Sequence, residues 1–226
     1  MEQLTKDELI EEYREAYAAI PQEALDLDLR VTVRTMQAPA KGKPVSPDQL
    51  AKTWDLPLEQ VRSVLATAVA AGQAEIDSQG DLVGGVLSLI PTAHRISMDG
   101  KQLYAWCAYD AIFAPGIVGK TARIVSKDPV TSNPIRIRIT ITPAGVTDVQ
   151  PEGSVVSVVG GETDMRGGPE SPRCSQMLFF ESRDTAHKWL KGRANVSILT
   201  VEEAFEVARQ FQIEPAKRLG LVEEET

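Results

Sequence analysis

The sequence predicts an α+β protein: a helical N-terminal part followed by a mostly antiparallel-sheet core with flanking helices. Three observations carry that prediction. Apolar residues recur at helical spacing in the first third of the chain, as at Leu9, Ile10, Tyr13, Ala16, Tyr17 and Ile20. The run Ile135 to Ile141 (Ile-Arg-Ile-Arg-Ile-Thr-Ile) alternates strictly, as a strand with one buried face does. Short apolar runs of strand length, such as Val155–Val159, then follow one another without the alternating helices of a parallel α/β fold.

In chain order, the helix-period stretch Leu4 to Ile20 is ended by Pro21, and a second helical stretch covers about Asp26 to Met36. The loop Ala38-Pro39-Ala40-Lys41-Gly42-Lys43-Pro44 separates it from Ser46-Pro47-Asp48, which is a cap, a first-turn proline and an acidic residue in helix-start order. A short helix Pro47–Trp54 and a longer one from Pro57 to about Ala71 follow, the second closed by Gly72. Glu75-Ile76-Asp77 and Leu82-Val83 flank the turn Ser78-Gln79-Gly80 and read as a hairpin. Helix, turn, helix and hairpin is the outline of a winged-helix domain, assigned to residues 1–85. Residues 1–86 hold eight Lys/Arg against fifteen Asp/Glu, and the second helix of the pair offers Arg62 as its only base. A groove-reading helix needs several phosphate or base contacts, so the expected role is to pack on or cover the second half.

Residues 86–226 form the expected core. Strands are read at Val86–Ile90, His94–Met98 (leading into the turn Asp99-Gly100), Ile135–Ile141, Val155–Val159 and Met177–Phe180. A long irregular loop is expected from Gly160-Gly161 through Gly167-Gly168-Pro169, and loops of that length are often functional. Asp184 to Leu190 and Val201 to Phe211 read as helices, and Leu221–Thr226 as a frayed end.

Composition narrows the function. With 226 residues, 42% hydrophobic and 25% charged, the chain can bury a sizeable core and is not a low-complexity or disordered protein. A net charge of −8 disfavours bulk attraction to nucleic acid or to an anionic membrane. No apolar run approaches the ~18 residues of a membrane span, and the start Met1-Glu2-Gln3-Leu4 does not read as a signal peptide. The expected location is therefore cytoplasmic, with no membrane and no nucleic-acid partner.

Two cysteines, Cys107 and Cys174, are the only ones present. A reducing compartment argues against a disulfide, and isolated cysteines are commonly small buried hydrophobes. Asp110 follows Cys107 by three residues, a spacing that puts both on one face of a helix or turn. A thiolate pair suits a soft, thiophilic metal, and a nearby carboxyl can relay a thiol proton to a leaving group. From spacing alone Asp110 reads first as a cap or a structural acceptor rather than as a proton relay, and Trp106 reads as core packing. His94 and His187 complete a Cys₂His₂ count, but no close ligand pair of zinc-site spacing exists. Gly84-Gly85 and Gly160-Gly161 lack the pattern of a nucleotide-binding loop and read as turns.

The run Ile90-Pro91-Thr92-Ala93-His94-Arg95, then Asp99-Gly100, then Leu103-Tyr104-Ala105-Trp106-Cys107-Ala108 resembles the central motif of bacterial organomercurial (alkylmercury) lyases. The likeness continues through Gly119-Lys120-Thr121-Ala122-Arg123, Cys174 with Phe179-Phe180, and Val201-Glu202-Glu203-Ala204-Phe205, covering roughly residues 86–212. The family also carries a winged-helix-like domain ahead of its core. The resemblance implies cleavage of a carbon–mercury bond by protonolysis, in mercury resistance and detoxification. It places Cys107 and Cys174 on the family's mercury-gripping cysteines and Asp110 on its proton-shuttling acid. It further implies Hg(II) held by the two sulfurs with Asp110 as a weak third ligand, no organic cofactor, and release of the metal to external low-molecular-weight thiols and a mercuric reductase. Departures are the stretch Ser126-Lys127-Asp128 and Ser175, where some members carry further cysteines, a charged Arg173 before the loop cysteine, and a bulky Tyr109 beside the acid. Two rival readings remain at this stage: a thiol-based Hg(II)/Cu binding or transfer protein without bond cleavage, and a metal-responsive winged-helix regulator, which the acidic N-terminal part argues against.

Overall fold

The computed structural model describes residues 3–140, 145–160, 168 and 170–222. Ile141 of the alternating run, most of the Gly160–Pro169 loop and the last four residues, 223–226, lie outside them.

Helix α1 spans Lys6–Ala18 and begins at a capping box, in which Thr5 and Glu8 satisfy each other's backbone N–H groups. Helix α2 covers Gln22–Gln37. A single 3₁₀ turn, Pro39–Lys41, lies in the expected loop. Helix α3, Pro47–Trp54, starts at Ser46, whose side chain accepts from the Gln49 N–H, with Pro47 in the first turn. Helix α4 runs Leu58–Ala70. The hairpin strands are β1 (Glu75–Ile76) and β2 (Leu82–Gly84). Asp77 Oδ1 accepts from the N–H groups of Gln79 and Asp81 and so fixes the turn between them. Leu50, Trp54, Val61, Leu65, Ala68 and Leu82 pack together in a small core of their own. Leu9, Ile10, Tyr13, Val33 and Met36 of the first two helices instead enter the main core.

The strands β3 (Leu87–Ser88), β4 (His94–Met98), β5 (Lys101–Ala105), β6 (Ala122–Lys127), β7 (Pro134–Ile139) and β8 (Val146–Gln150) complete an eight-stranded antiparallel sheet in the order β1-β2-β3-β5-β4-β6-β7-β8. Between β4 and β5 the turn residues Asp99 and Gly100 have φ of 49° and 71°, the doubly left-handed pair that a two-residue hairpin needs. In β7, Ile135, Ile137 and Ile139 are buried while Arg136 and Arg138 are exposed, as the alternation predicts.

A second sheet holds β9 (Val155–Val159) between β10 (Phe179–Phe180) and β11 (Val196–Thr200). All five residues of β9 are buried, which is why it reads as an unbroken apolar run. Helix α5 (Ala108–Val118) lies between the two sheets and is buried along almost its whole length. Helices α6 (Arg183–Leu190) and α7 (Val201–Ala208) follow. The helix expected to reach Phe211 stops at Ala208: residues Arg209–Ile213 widen into a π-helical turn before α8 (Glu214–Arg218). No helix of the described residues is long and apolar enough to cross a membrane.

One polar link joins the hairpin to the residue preceding Cys107. Glu75 Oε2 on β1 accepts from Ser88 Oγ at 2.8 Å and from Trp106 Nε1 at 3.1 Å, and Trp106 is buried. Glu75→Ala strands both donors and is expected to lower unfolding stability by about 1–3 kcal/mol, read by denaturant melts.

Candidate active site

Residue Cys107 occupies the junction between β5 and α5. It is the N-cap of α5, and its Sγ accepts the Asp110 N–H at 3.4 Å. Asp110 therefore stands in the first turn, on the same side of the helix as the thiol, as the three-residue spacing predicts. The second cysteine arrives through tertiary contacts. Cys174 opens a 3₁₀ turn, Cys174–Gln176, whose carbonyl accepts the Met177 N–H at 3.1 Å. The Met177 carbonyl in turn accepts the Ala108 N–H at 2.9 Å, tying this turn to the first residue of α5. From β9, Ser157 donates to the Gln176 carbonyl at 2.6 Å and holds the turn from its other side.

The ligand atoms of Cys107, Asp110 and Cys174 all lie within 4.8 Å of one another. This is the one group of three or more potential metal ligands found among the described residues. No disulfide links the thiols, Cys107 is fully buried and Cys174 partly so. The three residues singled out by sequence are thus brought together. His94 is not with them: it is buried, its Nδ1 is 3.0 Å from Ser126 Oγ, and its ring stands edge-on to Phe179. Burial pushes His94 down to about 4, so it is a neutral core residue.

The environment differentiates the three groups. Burial first, then the neighbouring Cys174, pushes the Asp110 carboxyl well above the usual carboxylate range. Its Oδ2 is buried with no hydrogen-bond partner among the described residues. Burial pushes the Cys107 thiol up as well, and its hydrogen bond with Cys174 adds to the shift. Cys174 goes the other way, to about 7: the hydrogen bond with Cys107 leads, and Ser171 and the Arg173 guanidinium assist against burial. The site therefore sets the more acidic, partly exposed thiol of Cys174 beside a thiol and a carboxyl that burial biases toward their neutral forms.

Around the triad, Cys107 Sγ lies 4.0 Å from Met177 Sδ, a soft sulfur that spacing arguments did not single out. Nor did they assign Tyr13 to the site, because its position on α1 marks it only as a core-facing residue. Arg173 donates to Tyr13 Oη at 2.8 Å and lies over the Tyr13 ring at 5.3 Å, and Tyr13 donates to the Val159 carbonyl. Helix α1 thereby reaches the cysteine-bearing turn.

The Alkylmercury lyase family model matches residues 87–212, more than half of the chain, and spans both cysteines and the acid. The chain belongs to the alkylmercury lyase family. It is 39% identical to the alkylmercury lyase of Staphylococcus epidermidis over 172 residues, 76% of each chain. It is 37% identical to that of Bacillus cereus over 174 residues, 77% of each chain, and 33% identical to that of Pseudomonas putida over 164 residues, 73% of this chain and 74% of that one. A crystal structure of the mercury-bound form of MerB2 shares the fold, with a TM-score of 0.72 at 22% identity, covering 92% of this chain and 98% of the other.

Proposed function

We propose that this alkylmercury lyase cleaves R–Hg–X by protonolysis, with Cys107, Cys174 and Asp110 as the reacting groups. The observation that carries the assignment is the mutual approach of two thiols and one buried acid to within 4.8 Å at the N-terminus of α5. Cys174 is the more acidic thiol and attacks mercury first, displacing X. As Cys107 adds the second S–Hg bond, electron density pushed onto mercury weakens the carbon bond. Asp110 gives its proton to the carbon and recovers one from the Cys107 thiol. The C–Hg bond breaks, a C–H bond and two S–Hg bonds form, and the acid ends as it began. Hg(II) is the product held by the two sulfurs, with an Asp110 oxygen as weak third ligand, until low-molecular-weight thiols or a mercuric reductase take it. No organic cofactor enters these steps.

Residues 1–85 are read as a winged-helix-like domain and 86–226 as the catalytic core. The small separate core of α3, α4 and β2 supports the first, while α1 serves the second by closing over the cysteine-bearing turn. A cytoplasmic location suits two thiols that must stay reduced.

The rival reading is a thiol-based Hg(II) or Cu carrier without bond cleavage. It is disfavoured by the buried Asp110 Oδ2, which has no hydrogen-bond partner among the described residues, since a carrier gains nothing from an acid that burial biases toward its neutral form beside its thiols. The test incubates purified protein with methylmercury or phenylmercury and excess thiol, and quantifies methane or benzene. Hydrocarbon in many-fold excess over protein is expected. Stoichiometric mercury uptake with no hydrocarbon would establish the carrier instead.

A further inference from the structure

Glu75, Gly84, Ser88 and Tyr104 are successive cross-strand partners along β1, β2, β3 and β5, and so lie in one row across the sheet. Gly84 puts no side chain into that row. A Cβ there would lie 2.1 Å from Glu75 Oε2 and 2.7 Å from Ser88 Oγ, so glycine leaves the gap through which the carboxyl reaches across β2. Ser88 donates its one proton to that carboxyl at 2.8 Å, while its oxygen accepts the Ile90 N–H at 3.0 Å. The other bond to Glu75 Oε2 comes from the Trp106 indole at 3.1 Å and ends beside Cys107. Trp106 belongs to no strand or helix: β5 ends at Ala105 and α5 begins at Ala108, so Trp106 and Cys107 form a two-residue joint between them. The Trp106 N–H reaches the Val86 carbonyl only at 3.3 Å, a long bond, and the indole bond to Glu75 is shorter. A carboxyl on the N-terminal hairpin thus holds the residue whose peptide carries Cys107.

We propose that Glu75 is a positioning residue for the lyase reaction: from β1 it holds Trp106, and through Trp106 the joint from which Cys107 closes on mercury. The proposal rests on the lyase reading, and it makes the hairpin part of the apparatus that aligns the second thiol. Cys174 stands on a separate turn held through Met177 and Ser157, so the capture it begins depends little on Glu75. Closure by Cys107 depends on it directly, because misplacing a reacting atom by about 1 Å costs on the order of 100-fold.

The experiment compares Glu75→Ala, Gly84→Ala and Trp106→Phe with the wild type on phenylmercury and excess mercaptoethanol, below the melting range of each protein. Gly84→Ala keeps the carboxyl but pushes its flexible end out of place, so it tests the contact even where Glu75→Ala does not fold. Benzene release falls about 10–100-fold in all three variants, the usual effect of losing a residue that orients a metal-binding group. Formation of the phenylmercury adduct on Cys174, followed by intact mass, falls far less. Adding Glu75→Ala to Trp106→Phe slows release no further, because both remove the same bond. Wild-type benzene release in Glu75→Ala, or in Gly84→Ala should the first not fold, overturns the proposal even if Tm drops, since the bond then serves stability alone. Equal losses in capture and release, or losses that multiply in the double variant, defeat it too, because Glu75 then acts by another route. Retention of Hg(II) against mercaptoethanol is a separate readout and weakens by about the same 10–100-fold. It decides the proposal even where the wild type releases no benzene, the result by which the lyase reading itself falls.

Discussion

Asp110→Asn protein is expected to take up organomercury on its thiols and release essentially no hydrocarbon. The loss in turnover is about 10³-fold or more, near the upper end of what a positioned general acid supplies. The amide preserves the shape and the N-terminal turn of α5 but has no proton of suitable acidity to give. Stability should move the opposite way. Burial holds the folded Asp110 pKa above its unfolded value. Between those two values the unfolded chain sheds a proton that the folded chain must keep, and beyond them the fold carries a buried anion. Stability from this group is therefore fully present below the ordinary carboxyl range and is lost as pH rises through the folded value. Asn has no such dependence, so Asp110→Asn should melt above the wild type at neutral pH, with the gap closing as pH falls to about 4. Equal melting temperatures at both pH values would mean that Asp110 is not held protonated by the fold. A variant more stable and inactive is the signature of a residue kept at a cost to folding.

Much of this arrangement was legible in the residues themselves. Ser46-Pro47 marked the start of α3, the Ile/Arg alternation marked β7 with its buried face, and Asp99-Gly100 marked the turn that ends β4. The pairing of Cys107 with Asp110 was local, so three-residue spacing conveyed it. Helix α5 was not legible as a helix, because it is buried on all sides and so shows no 3.6-residue alternation of apolar and polar positions. Pro115 and Gly116 within it are also residue types that ordinarily interrupt a helix. Gly116 is required instead by close packing, since a Cβ there would lie 2.6 Å from Ile213 Cδ1. Strands β5, β6, β8 and β11 went unread for want of a distinctive pattern, and the strand expected from Met177 shortens to Phe179–Phe180 because Cys174–Gln176 coils ahead of it. The approach of Cys174 to Cys107 depends on the Ala108–Met177 backbone bond and the Ser157 anchor, contacts between segments far apart in the chain. No local periodicity encodes these. Resemblance to the family supplied that pairing where spacing could not.

Removing the thiols one at a time separates their roles. Cys107→Ser should fold normally, since serine is a better helix N-cap than cysteine and can still accept the Asp110 N–H. It keeps the more acidic thiol, so an R–Hg–Cys174 adduct should form and be visible by intact mass, with hydrocarbon release down about 10³-fold or more. Cys174→Ser leaves only the thiol that burial holds protonated, and adduct formation there should be slow at neutral pH and quicken only in alkali. The wild-type rate of mercury capture should rise through pH about 7 and level off above it, because the thiolate of Cys174 is the attacking species. In Cys107→Ser that rise moves to higher pH, because the hydrogen bond from Cys107 is the leading cause of the low Cys174 value. Fast neutral-pH capture by Cys174→Ser, with none by Cys107→Ser, would reverse the order of attack. That outcome would make Cys107 the entering nucleophile and leave Cys174 as the thiol whose proton Asp110 recovers.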